Sequence, residues 1–278
     1  MSTWLITGCS SGLGRSIAQA VLEAGFNAVV TARNLRSVEN LVSAFPHTAI
    51  STVLDVTKAD QVTSAVKLAE QRFGGVDVLV NNAGYGYRAA VEEGDEKEVA
   101  ELFASNFFGT VSLIKAVLPG MRSRRHGAIL NVSSIAGRLA MPGSGYYSAT
   151  KFALEGMSDA LRKEVGPLGI RVVVVDPGAF RTDFAGRSLQ QAKSAIADYA
   201  DTAGLRRKEN DKSHGTQPGE PARAARVLIN IVEGKTAPFR LLLGSDALRI
   251  VNAELETQRQ EIEDWKEVSL STDFAVSN

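Results

Sequence analysis

The 278-residue sequence predicts an α/β fold, in which one doubly wound parallel sheet of about seven strands carries helices on both faces. Two observations support this fold class. Short apolar, often β-branched runs recur along the chain, and segments with helical apolar spacing separate them. Alternation of this kind is typical of parallel strands joined by right-handed crossovers. The predicted strands are residues 4–6, 28–31, 50–54, 76–80, 128–132, 170–175 and 239–243.

Three further stretches complete the predicted single domain, residues 1–278. A helix after the first strand has apolar residues at the three-and-four spacing of one buried face, as does the helix after the third strand. Residues 193–220 lose this rhythm to a run of charges, so we expect either a flexible substrate loop or a solvated surface excursion there. Residues 245–278 predict a C-terminal helix and tail that pack on the domain or on a partner subunit.

Composition restricts the classes of partner. The chain has 31 Lys and Arg against 31 Asp and Glu, so no overall field favours nucleic acid or an anionic membrane. The single cysteine, Cys9, excludes an intramolecular disulfide, and the three histidines lack metal-ligand spacing. The first strand starts too early to leave room for a signal sequence, and no apolar run reaches the roughly 20 residues of a membrane span. We expect a cytoplasmic protein with a small-molecule substrate and no metal.

A glycine-rich turn follows the first strand and leads into a helix. Glycine permits a tight turn and close approach of the backbone to a pyrophosphate, while the helix N-terminus offers free N–H groups. Such glycines also close ordinary strand-to-helix connections, but a position after the first strand favours a Rossmann-type dinucleotide site. The candidate cofactor-binding residues here are Gly8, Ser10, Ser11, Gly12, Leu13 and Gly14.

The end of the second strand indicates which dinucleotide is used. An NAD site would carry a carboxylate there for the ribose 2′-hydroxyl, but the chain has Arg33 and no acidic residue before Glu39. A guanidinium can pair with a 2′-phosphate through two hydrogen bonds, so NADP(H) is the predicted cofactor. Alternatively, Arg33 only ends a strand at the surface.

A catalytic group is predicted from Tyr147 and Lys151, which lie four residues apart and therefore on one face of a helix. A carbonyl that receives hydride must be protonated, and a phenol, with a pKa near 10, needs an adjacent cation to exchange protons near neutrality. Ser134, after the fifth strand, could hold the substrate oxygen. The neighbours Ser133 and Tyr146 are the alternatives at these two positions.

Taken together, these motifs resemble the short-chain dehydrogenase/reductase family over nearly the whole chain. The resemblance implies that Tyr147 and Lys151 are the catalytic pair, Ser134 the catalytic serine and Asn106 the asparagine of a water-linked proton relay. It implies that Asn82, Ala83 and Gly84 run beside the adenine ribose. The remaining cofactor-binding positions that it implies are Asp55 and Val56 at the adenine and Pro177, Gly178, Phe180 and Thr182 around the nicotinamide.

The same resemblance points to an NADP(H)-using hydroxysteroid and retinol dehydrogenase branch and to a homodimer or homotetramer. Six residues are expected either near the reaction centre, where they would favour an apolar substrate, or in ordinary core packing: Tyr85, Tyr87, Met141, Tyr146, Phe180 and Phe184. The predicted activity is hydride transfer between NADP(H) and a carbonyl or alcohol carbon. Two rivals are a catalytically silent NADP(H)-sensing or scaffold protein and an enzyme of dehalogenation or epimerisation on the same fold.

Overall fold

A parallel sheet forms the centre of the molecule. The computed structural model describes residues 1–186, 188–213 and 215–274. The strands are β1 (Thr3–Ile6), β2 (Asn27–Ala32), β3 (Ala49–Val53), β4 (Val78–Asn81), β5 (Gly86–Arg88), β6 (Gly127–Val132), β7 (Ile170–Pro177), β8 (Leu189–Gln191) and β9 (Arg240–Leu243). Seven of them form one sheet in the order β3-β2-β1-β4-β6-β7-β9, and every pairing in it is parallel. The predicted fold class is confirmed.

Helices cover both faces of this sheet. They are α1 (Gly12–Glu23), α2 (Glu39–Ala44), α3 (Ala59–Phe73), α4 (Glu96–Phe103), α5 (Gly109–Arg124), α6 (Gly145–Val165), α7 (Ala203–Ser213), α8 (Pro221–Glu233), α9 (Ser245–Asp264) and α10 (Lys266–Leu270). The strand order reverses between β1 and β4, because the chain first builds outward through β2 and β3 and then returns. In doubly wound sheets, ligands bind in the crevice that this reversal opens at the carboxyl ends of the strands.

Two apolar cores lie on the two faces. Because successive side chains of a strand point to opposite faces, Trp4 and Ile6 pack in one core with α1 and α8, while Leu5 packs in the other. Helices α3, α5 and α6 cover the second core, through residues such as Val66 and Leu113. Burial on both faces explains why the strands appear in the sequence as continuous apolar runs.

The region beside the main sheet was not predicted in detail. Strands β5 and β8 pair in parallel as a separate two-stranded sheet, and a third, small core of Tyr87, Ala89 and Leu102 packs next to it. The expectation of a loop over residues 193–220 was wrong in one respect, since α7 lies within it. This helix is strongly polar, so its sequence lacks the apolar periodicity by which helices are recognised.

One helical stretch differs from the expectation about apolar length. Glu96–Arg124, which comprises α4, a π-helical turn (Ala104–Phe108) and α5, is long and apolar enough by composition to cross a membrane. Core helices of globular domains meet the same criterion. Leu113, Ile114 and Met121 of this stretch are buried in the second core, which assigns it to the interior of the domain.

The C-terminal helix is confirmed, and it extends away from the domain. Only Ala247 and Val251 of α9 are buried, whereas Leu248, Leu255 and Ile262 are exposed at intervals of seven residues. Most of α9 therefore gains little stability from contacts within this chain. The last part of the predicted tail, residues 275–278, lies outside the described residues.

Candidate active site

The glycine-rich turn lies at the carboxyl end of β1, where the crevice opens. Gly8 and Gly12 have φ angles of 71° and 58°, which residues with a side chain rarely adopt. A Cβ on Gly14 would lie 2.3 Å from Asn82 Nδ2 and 2.5 Å from the Gly8 carbonyl oxygen. The turn is thus closed so tightly that α1 begins directly against the strand ends.

Asn82 and Thr7 lock this turn to the end of β4. The Asn82 side chain donates to the Thr7 carbonyl oxygen at 2.9 Å, and the backbone N–H groups of Asn82 and Ala83 both donate to Thr7 Oγ1 at 2.9 Å. Gly84 continues this segment, and its Cα faces Asn106, whose Oδ1 would lie 3.0 Å from an added Cβ. Residues of the two predicted cofactor motifs therefore form one continuous surface.

The N-terminus of α1 fits a pyrophosphate. Ser11 is the N-cap residue but makes no side-chain capping bond, and the first turn carries no acidic residue. Its N–H groups and partial positive charge therefore remain available for an anion. Ser10 is exposed, Ser11 is half-buried and Leu13 packs against the first core, so the serines rather than Leu13 present polar groups at the turn.

Arg33 follows β2 at the same edge of the sheet and is exposed. Burial works against ionisation of Asp55, but hydrogen bonds from Thr57 and the charges of Arg33 and Lys58 lower the pKa of Asp55 overall. Arg33 is therefore close enough to the end of β3 to act on Asp55. Val56, next to Asp55, is buried against Gly109 of α5.

The structure brings Ser134 and Tyr147 together. Ser134 Oγ accepts from the backbone N–H of Ala136 at 3.1 Å, and its hydroxyl is close enough to the Tyr147 phenol to act on the pKa of that phenol. Of the alternatives at these positions, the Ser133 hydroxyl faces the buried Asp176. Tyr146 donates to the Val91 carbonyl oxygen at 2.6 Å and packs on Gly94, away from Ser134.

Tyr147 is nearly enclosed in this structure. Its exposed fraction is 7% and burial raises its pKa to about 12, while the Ser134 hydroxyl and the charge of Arg88 act in the opposite direction. The Phe184 ring lies beside the phenol, with 5.9 Å between the ring centroids. A phenol in this state keeps its proton near neutrality and can donate it to a developing alkoxide.

Lys151 lies one helical turn beyond Tyr147 and is also buried. Its Nζ donates to the Val132 carbonyl oxygen at 2.9 Å and lies 5.8 Å from the centroid of the Tyr147 ring. Burial lowers the pKa of Lys151 to about 8, whereas the carboxyl groups of Asp176 and Glu155 act to raise it. Lys151 is therefore still mostly protonated at neutral pH.

A buried group of charges lies behind Lys151. Asp176 is fully buried and its pKa is raised by burial and by the adjacent Glu155, while Arg138 lies 3.7 Å from its Oδ2. Arg240 Nε donates to Glu155 Oε2 at 2.8 Å. The carbonyl oxygen of Val132 holds the ammonium group of Lys151, and the nearby acidic side chains favour its protonated form.

Asn106 connects three parts of the site from the π-helical turn. It is 1% exposed, and its side chain accepts from the Tyr85 N–H at 3.0 Å and donates to the Tyr85 carbonyl oxygen at 2.9 Å. It also donates to Thr150 Oγ1 of α6 at 3.3 Å. A π-turn commonly marks a functional position, and here it turns Asn106 toward the segment after β4.

The segment after β7 closes the other side of the crevice. Gly178 donates to the Leu243 carbonyl oxygen, and a Cβ on it would lie 2.3 Å from Asp246 Oδ1, so Pro177 and Gly178 are held tightly against the start of α9. Thr182 lies opposite the glycine-rich turn, 3.4 Å from a Cβ built on Gly12. Phe180 instead packs on the first core and beside Gly219.

Of the two alternatives for the six residues near the motifs, ordinary core packing is the one that applies to Tyr87 and Tyr146. Tyr87 is fully buried in the third core, where its hydroxyl donates to Glu98, and Tyr146 packs on the same core. In contrast, Arg88 was overlooked, although its charge acts on Tyr147. The available signal was a single cation between Tyr87 and Ala89 in an otherwise apolar stretch.

No metal site is evident in the part of the chain that the structure describes, where no three His, Cys, Asp or Glu residues group together. Cys9 is fully buried, its thiol donates to the Ile6 carbonyl oxygen, and burial raises its pKa to about 12. Its thiolate is therefore inaccessible near neutrality, and Cys9 acts as a small packed residue.

Known proteins resemble this chain over most of its length. The family model described as short chain dehydrogenase matches residues 2–193. Oxidoreductase BOA17 of Botryotinia fuckeliana is 38% identical over 270 residues, which cover 97% of this chain and 98% of that protein. A short-chain dehydrogenase from Streptomyces avermitilis has a solved structure with a TM-score of 0.91 and 40% identity, covering 98% of this chain and 100% of that one.

A more distant structure was solved with a dinucleotide analogue. It is an alcohol dehydrogenase from Thermococcus sibiricus complexed with 5-hydroxy-NADP, with 27% identity, a TM-score of 0.72, and coverage of 87% of this chain and 96% of that one. The extent of the family match and the near-complete overlap with BOA17 leave no doubt about ancestry. The chain therefore belongs to the short-chain dehydrogenase family of oxidoreductases.

Proposed function

We propose that this chain transfers a hydride between NADP(H) and the carbonyl or alcohol carbon of a small molecule. The observation that carries the proposal is the grouping of Ser134, Tyr147 and Lys151 at the crevice, with the phenol within reach of the serine hydroxyl. When bound, the nicotinamide would supply or accept the hydride. The Thermococcus sibiricus structure, with its NADP analogue, supports the choice of cofactor class.

The protein side chains perform the remaining steps. Ser134 binds the substrate oxygen, and Tyr147 donates its proton to that oxygen during reduction or removes it during oxidation. The positive charge of Lys151 favours the phenolate that remains after proton donation. Asn106 holds the segment after β4 against α6 and so keeps the cofactor surface and the catalytic helix in register.

The experiment follows NADPH oxidation with a panel of ketones, aldehydes and quinones. Tyr147→Phe should lower kcat about 10²–10⁴-fold while NADPH affinity is preserved, since only the proton donor is lost. NADPH binding without turnover of any carbonyl in the unmodified protein would instead favour the sensor or scaffold function. Tyr146→Phe is the matched control, because that hydroxyl bonds to Val91 and should leave kcat within about twofold.

Cofactor preference is tested at Arg33. Arg33→Asp should weaken NADPH relative to NADH by about 10- to 100-fold in kcat/KM, the effect of losing a charge-assisted bidentate contact. Arg72→Asp, on the exposed part of α3, is the control for a general change of surface charge. An unchanged preference in Arg33→Asp would mean that Arg33 is only a surface residue at the end of β2.

A further inference from the structure

Arg88 is a buried cation for which the proposed reaction has no use. It is the last residue of β5, and its exposed fraction is only 9%. Its Nη1 donates to Ser144 Oγ at 2.6 Å, while its Nε has no hydrogen-bond partner. Among the residues that the structure describes, no carboxylate forms an ion pair with Arg88. A buried charge that lacks an opposite charge is costly, and native proteins rarely keep one without a ligand or partner.

A second arginine lies near Arg88. Burial and, to a smaller extent, the charge of Arg206 on α7 together lower the pKa of Arg88 to about 10, while Tyr147 acts in the opposite direction. Ser144 is the N-cap residue of α6, makes no side-chain capping bond there, and precedes a first turn without acidic residues. Two guanidinium groups and the positive end of a long helix therefore act on the same small region.

This region adjoins the reacting groups. The charge of Arg88 acts directly on the Tyr147 phenol, which lies three residues beyond Ser144 in the first turn of α6. Helix α7 packs over β5, and Ala203 at its start is buried against Gly143. The hydrogen bond to Ser144 thus holds the Arg88 guanidinium at the N-terminal end of the helix that carries Tyr147.

We propose that Arg88 is a specificity-determining residue that binds a carboxylate group on the carbonyl or alcohol substrate. The inference rests on the proposed function, because it assigns the substrate class of the same site. A guanidinium presents a planar fork of donors that matches a carboxylate, and Ser144 engages only the Nη1 of Arg88. Two of the aromatic residues considered for an apolar reaction centre, Tyr87 and Tyr146, pack in the third core instead.

The test compares acids with their methyl esters, which differ in charge but hardly in shape. The probes are 4-oxopentanoate and 4-acetylbenzoate, each alongside its ester, titrated by calorimetry into the 278-residue protein saturated with NADP⁺, so that no hydride is available and only binding is measured. We expect at least one acid to bind about 10- to 100-fold more tightly than its ester. In Arg88→Met this advantage should fall below about twofold. Equal binding of both acids and esters, or an advantage that survives in Arg88→Met, would overturn the proposal.

Three further variants separate charge from architecture. Ser144→Ala removes the hydrogen bond of Arg88 but not its charge, so the acid preference should persist even if stability falls. Arg88→Lys keeps the charge without the fork and should retain an intermediate preference, which also covers the case that Arg88→Met does not fold. Arg226→Met, an exposed arginine of α8, is the surface control and should leave the preference unchanged. A purely structural role predicts equal losses for acid and ester in every variant of Arg88 and Ser144.

NADPH oxidation is measured in parallel, so that two different failures can be distinguished. Reduction of the esters without any preference for the acids would refute the carboxylate proposal and leave the proposed function intact. Tight, Arg88-dependent binding of an acid without NADPH oxidation would support the anion site and refute hydride transfer.

Discussion

The crevice has two walls that are built in different ways. The cofactor wall, formed by the glycine-rich turn and residues 81–84, is held by backbone groups and by the small side chains of Thr7 and Asn82. The substrate wall, formed by β5, β8 and α7, is held by charged side chains, chiefly Glu93 with Arg207 and Arg88 with Ser144. The cofactor wall depends on close packing of backbone segments, whereas the substrate wall depends on the pairing of charged side chains.

The two walls therefore tolerate different kinds of change. Atoms added to the cofactor wall have no space, since its glycines already touch neighbouring groups. Charges removed from the substrate wall leave buried partners without compensation. Substitutions that add atoms should thus destabilise the cofactor wall. Substitutions that remove a charge without changing the shape of the side chain should destabilise the substrate wall.

Gly14→Ala is expected to have the largest effect, because its Cβ would lie 2.3 Å from Asn82 Nδ2. We expect the free energy of unfolding to fall by about 3 kcal/mol, at the upper end for overpacking, with loss of NADPH binding. Gly156→Ala is the matched control: Gly156 lies within α6, and nothing lies within 4 Å of an added Cβ. That variant should gain about 0.5–1 kcal/mol. Urea unfolding and NADPH titration measure both, and equal behaviour of the two glycines would contradict the steric account.

The same contrast explains how much could be predicted from the sequence. The cofactor wall is encoded by neighbouring residues: a strand, three glycines and a helix follow one another within residues 3–23, and their order alone restricts the geometry. Ser134, Tyr147 and Lys151 were identified from spacing and from the family resemblance, and the structure brings them to one crevice. The roles of these residues stay predictions until the variants are measured.

The substrate wall could not be predicted because its contacts are distant in sequence. Glu93 accepts from the backbone N–H of Ile196, 103 positions later, and pairs with Arg207. No local pattern marks such a contact, and the polar sequence of α7 hides the helix that carries Arg207. The alternatives for Tyr87 stayed open for a related reason, since an aromatic residue beside a motif is equally compatible with a core and a cleft, and the structure places Tyr87 in the third core.

Glu93→Gln tests the substrate wall and should have an intermediate effect. The carboxylate accepts from the Ala90 N–H at 2.7 Å and the Ile196 N–H at 2.8 Å and pairs with Arg207. Loss of its charge should cost about 1–3 kcal/mol, expressed as faster hydrogen exchange in residues 193–213 and a higher KM. Glu92→Gln is the control: Glu92 is exposed and accepts from the Tyr199 hydroxyl at 2.7 Å, a bond that the glutamine oxygen can still accept, so stability should change by less than about 0.5 kcal/mol.

Lowering the pH should remove the charge of Glu93 and so have the same effect as Glu93→Gln. Burial opposes its ionisation, but hydrogen bonds from Ile196 and Ala90 and the charge of Arg207 lower its pKa below the ordinary value of 4.5. The folded state thus gains stability from Glu93 above that pH and loses it as the pH falls through the lowered pKa. Exchange in the native protein should accelerate in that range and approach that of Glu93→Gln, whose own exchange should respond less to acid.

The smallest expected effect is a shift in pH dependence at α6, the helix that both walls share. Burial lowers the pKa of Lys151 to about 8, so kcat for reduction should decline above that pH as the charge is lost. Glu155 acts to raise that pKa, and its removal also frees the positive Arg240, so Glu155→Gln should move the decline to lower pH. Glu164→Gln, exposed on the same helix, should leave the profile unchanged.

Over the alkaline range, the contribution of Lys151 to the free energy of unfolding should increase with pH, whereas kcat declines. Because the pKa of Lys151 is lower in the folded chain than its ordinary value of 10.5, the unfolded chain binds more protons between about pH 8 and 10.5. The contribution of Lys151 to the free energy of unfolding therefore increases with pH over this window. In urea titrations from pH 8 to 10, the free energy of unfolding of the unmodified protein should therefore rise relative to that of Lys151→Met. The raised pKa values of Cys9 and Tyr147 lower stability in the same range, but they do so in both proteins, so the difference isolates Lys151. A difference that does not change with pH would show that the lysine is not held as a destabilised cation, and the decline of kcat would then need another titrating group.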